Sequence, residues 1–402
     1  MKPAATLLIC LLGGCTMAER SAAPLEFHRA HWVEATQHLE PICGDFMFQA
    51  LAFASPHEGW VVGNRFALHL QGDDIRVAFL RPRELWLWAI DLSSDGTSGI
   101  AGGFRRQGWR QPDVGAVLRH RDAAWHLDPT EALRESQWIM SVAADPQGAD
   151  WAAAALFSPP SPEGVSSPVG NALLQRRDGR WVADAVPPDW RINALCNSSS
   201  ASTWVVGAIA DDNRWLTAFA ARRQGGGWEA TSLPALAASS VLSHVTCPHG
   251  GGVVALGHAA AHVEDGGEIV LLRWTDRWER IPLPAKFAAN RASALAAVST
   301  DDVWLAVSCI LPEDRCRPRF LHWAGGAWRA IDAPTLPAGR RDGYTVSDMQ
   351  FVSADEGWAI ANDYDGPGLV RGLLFHYRDG VWRNRNWDWH FWDQPGFGLF
   401  GD

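Results

Sequence analysis

After its N-terminal segment the chain has no apolar run approaching the 18 or more residues that a membrane-spanning helix needs, so no helical span is expected. It also lacks a cluster of lysine and arginine. The paired arginines that begin at Arg105, Arg176, Arg222 and Arg340 are scattered, and the formal charge is −10. A general nucleic-acid binder carries a basic face or stripe, so that class is set aside. No GxSxG, HExxH or P-loop occurs, which removes the common signatures of serine hydrolases, zinc peptidases and nucleotide-binding enzymes. No CxxC accompanies the cysteines, which disfavours zinc. Paired acids at Asp73/Asp74, Asp211/Asp212, Asp301/Asp302 and Glu313/Asp314 read as turn residues on a solvated face, and His258 and His262 as solvated loop residues. Acid/base catalysis would need two such groups to converge.

Tryptophan is abundant instead, with 23 in 402 residues, and its spacing is regular. Trp204 and Trp228 are 24 residues apart, as are Trp304 and Trp328, and Trp358 and Trp382. The later members Trp181, Trp228, Trp278, Trp328 and Trp382 follow one another at 47, 50, 50 and 54 residues. The clearest copy of the unit runs from Tyr344 to Asn384. An alternating segment ends at the polar turn SADEG, WAIA is apolar throughout as in a strand covered on both faces, NDYDGPG reads as a loop, and GLLFHY runs into the tight turn RDG before Trp382. Four short antiparallel strands per unit, repeated about every fifty residues, predict an all-β propeller. Each tryptophan buried between blades would contribute about 2 to 3 kcal/mol.

Seven units can be followed: 48–79 with Trp60 and with Ile75 in the later slot, a degenerate second ending at Trp125, a third with Trp151 and Trp181, then Asn193–Thr231, Ser243–Ile281 with Val254 in the first slot, Ser293–Ile331, and the template. The third contains a Pro/Ser-rich loop at 158–168 that should protrude from one face. LEFHRAHWVEA at 25–35 resembles the end of a unit and is the candidate strand for closing the ring. The tail carries Trp387, Trp389 and Trp392, which read as a clasp against a terminal blade or as a partner contact. FWDQPGFGLFGD at 391–402 leaves an eighth blade open.

MKPAATLLICLLGGC has a positive Lys2, an apolar core and small residues before Cys15, the pattern of a secretory signal. Leu12-Gly13-Gly14-Cys15 resembles the lipobox of bacterial lipoproteins. That resemblance implies a signal peptide at 1–14, cleavage before Cys15, a lipid on its sulfur and a tether at 15–24. With Thr16 rather than aspartate next, it implies an outer-membrane lipoprotein facing the periplasm. In an oxidising compartment the remaining cysteines can pair. Cys309 and Cys316 flank a short loop, where a bridge would add about 2 to 3 kcal/mol. Cys196 and Cys247 hold the same place in successive units and could face each other between blades, or stay as free buried thiols.

DEGWAIAND, EGWVVGN, DDVWLAV and STWVVGA, with FHYRDGVW and LHWAGGAW, resemble the WAVG and HxDGxxW repeats of bacterial exported propellers. They are similar also to the Asp-box superfamily, which includes photosystem II assembly factor-like proteins. No copy completes the Asp-box, since SADEGW lacks its threonine and SSDGTSG its tryptophan, and a sialidase-like Tyr/Glu pair has only Tyr344, Tyr364 and Tyr377 to draw on. These motifs specify architecture and carry no chemistry. Asp363 and Asp365, in DYDG, resemble the start of a calcium loop but lack later oxygen ligands, so calcium is the one cofactor the sequence suggests, and weakly. The expectation is a monomeric, lipid-anchored propeller that binds another envelope protein, as an inhibitor, immunity or assembly factor, with no catalytic residue named. The alternative is a glycan-binding or glycan-cleaving propeller, with carboxylates and aromatics at the channel mouth.

Overall fold

The computed structural model describes residues 47–385, apart from 65, 73, 80–84, 94, 107–111, 122–123, 129–132, 134–136, 146–147, 159–167, 200–201, 211–215, 249–250, 261–266, 289–290, 309–317, 335–343 and 365–369. These residues form seven four-stranded antiparallel sheets, at 48–79, 85–127, 137–184, 190–231, 239–280, 291–332 and 344–384, with one short helix at Ala285–Ala288. The protein is a seven-bladed β-propeller. An eighth blade does not form within 47–385: blade seven takes its four strands from 344–384 and packs directly on blade one. The segments 25–35 and 386–402 lie outside the described residues.

Turn chemistry sets the outer hairpins. Asp178–Gly179, Gly225–Gly226, Gly325–Gly326 and Asp379–Gly380 all have positive φ, between 50° and 88°. Each pair is a two-residue connection, and φ > 0 at both central residues is the type I′ geometry that matches strand twist. Tertiary contact overrides turn chemistry at one place. Asn362 and Asp363 are strand residues opposite Thr345 and Tyr344, in a strand that runs Glu356–Tyr364, although their residue types suggest a loop.

The apolar second strands work on both faces. Trp358 and Ile360 join the core shared with blade one, while Ala359 and Ala361 join the core shared with blade six. The described residues contain seven such hydrophobic cores, each spanning one pair of neighbouring blades.

The two tryptophans of the repeat meet across these interfaces. Trp60 meets Trp125 edge-on with centroids 5.6 Å apart, as do Trp151 and Trp228 at 5.5 Å, Trp204 and Trp278 at 5.6 Å, and Trp304 and Trp382 at 6.3 Å. At the other three interfaces one member is aliphatic: Ile100 with Trp181, Val254 with Trp328, and Trp358 with Ile75. In blades three to six the later tryptophan also reaches back toward the preceding blade through its indole N–H. Trp181 donates to Asp128 at 3.0 Å, Trp228 to Asp184 at 2.8 Å, Trp278 to Thr231 Oγ1 at 2.8 Å and Trp328 to the carbonyl of Pro282 at 2.7 Å. In blades one, six and seven a histidine stacks on the second-strand tryptophan and meets an acid two residues before that tryptophan. These are His69 with Glu58, His322 with Asp302 at 2.8 Å, and His376 with Glu356 at 3.0 Å.

Gly103, Gly207 and Gly257 sit where the innermost strand comes closest to the second. A Cβ on Gly207 would lie 1.8 Å from the carbonyl oxygen of Arg191. Gly207→Ala is therefore expected to destabilise the protein by about 1 to 3 kcal/mol, whereas Gly227→Ala, which meets open space, should stay within about 0.5 kcal/mol. Urea unfolding midpoints of the two variants test the pair, and equal midpoints would contradict the close approach.

Candidate functional site

Each innermost strand holds one residue more than its partner strand at an equivalent point. The extra residues are Gln49, Trp88, Met140, Asn193, Ser243, Ser293 and Ser347. A bulge re-aims the side chains around it. Several of the residues that follow it reach across to the neighbouring blade rather than outward. Asp348 Oδ2 accepts the N–H of Leu51 at 3.0 Å, and Ser141 Oγ accepts the N–H of Leu195 at 3.1 Å from the same position. Gln350 both accepts from and donates to the backbone of Phe53, at 2.6 and 3.1 Å. Asp91 Oδ2 accepts the N–H of Ala144 at 2.8 Å. Asn362 takes the N–H of Phe48 at 2.9 Å and donates to its carbonyl at 2.7 Å, so blades seven and one are stitched by side chain-to-backbone bonds.

The innermost strands enclose an axial cavity of about 690 Å³. It runs from the level of the bulges to the strand ends, where Ser93, Asp145, Ser198 and Pro248 line it. That volume falls in the range of about 300 to 1,000 Å³ usual for ligand pockets. Among the described residues blade six contributes only Leu295, so the described lining is asymmetric. Cys196 and Cys247, from blades four and five, both line the cavity and are disulfide-bonded, with Cα atoms 5.7 Å apart.

Burial dominates the electrostatics. It pushes the carboxyls of Asp91 and Asp348 up to about 7, against the opposing pull of the backbone N–H groups they accept. It pushes the His244 imidazole down to about 4, with the neighbouring His258 adding to the shift. His244 Nδ1 lies 2.9 Å from Ser243 Oγ. That contact joins neighbours along one strand. Asp91 and Asp348 are each held by two backbone N–H groups, from Ala144 and Leu92 and from Leu51 and Met349. These contacts make them clasps between blades.

Few of the residues singled out in the sequence meet at this cavity. Cys15, Cys309, Cys316, Trp387, Trp389, Trp392 and Asp365 lie outside the described residues. Asp363 is 1% exposed within its strand and does not line the cavity. Among the described residues no group of three or more His, Cys, Asp or Glu could hold a metal ion. Cys196 and Cys247 do line the cavity. Asp91, Asp348 and His244 drew no attention in the sequence, although an acid in the midst of YTVSDMQFV or LWAIDL breaks the apolar pattern of a buried strand and is the signal that could have found them.

No protein-family model matches the chain, and no curated protein matches it. Among solved structures, YCF48 bound to a D1 peptide matches with a TM-score of 0.50 and 16% identity, over 84% of this chain and 95% of that one. Kuenenia stuttgartiensis hydrazine synthase matches with a TM-score of 0.52 and 9% identity, over 87% of this chain and 100% of that one. At such identities the likeness extends to the propeller fold alone.

Two outcomes are expected. Folding raises the pKa of Asp91 and Asp348 from 3.8 to about 7, so each favours the folded state most below about pH 4 and loses that contribution as pH rises through 7. The upper bound is on the order of 4 kcal/mol each. Asp91→Asn should therefore gain stability relative to the parent between about pH 5 and about pH 8 in urea titrations; a constant difference would count against a buried, titrating carboxyl. Replacing Cys196 and Cys247 together by serine, which opens a 51-residue separation, should cost about 4 kcal/mol by the same assay.

Proposed function

We propose that this chain is a lipid-anchored binding platform of the bacterial cell envelope, held to the outer membrane through Cys15 and facing the periplasm, and that it receives a segment of another envelope protein at the mouth of the axial cavity. The cavity carries this reading. It has ligand-pocket volume, hydrogen-bonding side chains from several blades, and carboxylates already engaged by backbone N–H groups. The YCF48 propeller, which holds a D1 peptide, lends support from a shared fold. The Cys196–Cys247 bridge supports export, because structural disulfides persist in oxidising compartments. An inhibitor, immunity protein or assembly factor would use such a platform. The rival reading, a glycan-binding or glycan-cleaving propeller, draws on Trp88 and the three aspartates of the lining.

The test places a photo-crosslinking amino acid at Ser198, exposed at the cavity mouth, or at Val381, 51% exposed on the outer strand of blade seven, in cells of the native host. One envelope protein should be captured in high yield from Ser198 and not from Val381. Equal capture at both sites, or cleavage of polymeric glycans that Asp91→Asn abolishes, would overturn the platform reading.

A further inference from the structure

We propose that the axial cavity takes a positively charged side chain, a lysine ammonium or an arginine guanidinium, carried on the partner's segment. This rests on the platform reading and names the chemistry the platform selects. Among the described residues the ionisable lining consists of Asp91, Asp145, Asp348 and His244, with no lysine or arginine. His244 is neutral above about pH 5 because burial holds its pKa near 4. The lining is therefore of one sign.

A comparison within the molecule sharpens the point. Asp128 and Asp184, at the outer strands, and Asp150, just before the second strand of blade three, are each matched to an arginine: Arg176 at 3.3 Å, Arg223, and Arg119 at 3.0 Å. Asp91 and Asp348 have no ion-pair partner among the described residues, and each oxygen accepts one backbone N–H. A carboxylate offers about four acceptor sites, so about two remain on each. Both acids are half-buried, and a carboxylate withdrawn from water is normally paired or bound to a cation, because desolvation is costly without a counter-charge. Among the described residues Asp150 is a further negative charge that bears on Asp91 and raises its pKa, and burial is what raises that of Asp348. Asp348 belongs to blade seven and Asp91 to blade two, so the acids flank blade one and leave an uncompensated sector in the wall. A cation entering there would supply the missing charge, draw both groups into the ionised form and release protons.

The experiment uses the full chain and two fluorescein-labelled pentapeptides that differ only in carrying two arginines or two glutamates, with free spermidine as competitor. Fluorescence anisotropy should show binding of the arginine peptide alone, strengthening about tenfold between about pH 5.5 and about pH 8. Gln49→Lys, which adds a cation to the lining without touching either clasp, should abolish it while circular dichroism stays unchanged. Asp91→Asn with Asp348→Asn should remove the pH dependence. Equal binding of the glutamate peptide or indifference to Gln49→Lys would overturn the proposal. If neither peptide binds while Ser198 still captures a partner, the cationic assignment falls and the platform reading stands.

Discussion

Packing between neighbouring blades is the constraint on which the rest of this structure depends. A four-stranded meander has two apolar faces and no interior, so it cannot stand alone in water, and each blade here shares one core with the blade before and another with the blade after. The ring leaves no blade without two neighbours, since blade seven meets blade one through Phe48, Phe53, Trp358 and Ile360. That is why the second strands are apolar at successive positions. It also explains why the tryptophan spacing recurs: the earlier tryptophan of one unit and the later tryptophan of the next are halves of one contact.

This division explains what could be read from the chain. Blade boundaries, the two-residue turns and the four-strand order were legible because each blade must satisfy the same requirement, which leaves a trace every fifty residues or so. Where a tryptophan is missing the trace persists, as at Ile75 and Val254, because the opposite member of the pair, Trp358 or Trp328, remains large. The extent of the second strand in blade seven was not legible. Asn362 and Asp363 have turn-forming chemistry, and sheet pairing on both sides together with the bonds of Asn362 to Phe48, which lies 314 residues away in sequence, holds that stretch extended. No local pattern carries such information.

The candidate site was less legible for a related reason. Cavity residues sit at and just after the bulges of the innermost strands, where the repeat specifies backbone and leaves side chains free. Seven equivalent positions carry glutamine, tryptophan, methionine, asparagine and serine, so no motif accumulates there. Asp91 and Asp348 are further disguised because they do not share a position: Asp348 directly follows its bulge, whereas Asp91 stands three residues beyond its own, level with Gln350. Only folding makes them neighbours of one cavity.

The same arrangement accounts for how a costly lining is tolerated. Each interface core contributes far more apolar burial than one carboxyl without a counter-charge removes, and of the two backbone N–H groups that hold each acid one comes from the adjoining blade, from Ala144 for Asp91 and from Leu51 for Asp348, both members of those cores. The acids are thus oriented by strands that those cores hold in place. Had the same carboxylates stood on flexible loops, they would have turned outward to water and kept ordinary acidity. Held inward they retain acceptor capacity and an elevated proton affinity at once, which makes the cavity wall responsive to a charge that arrives from outside. Rigid blades, variable inner positions and an uncompensated sector are therefore parts of one arrangement, in which the stability of the ring carries the energetic cost of a polar lining that the repeat leaves unspecified.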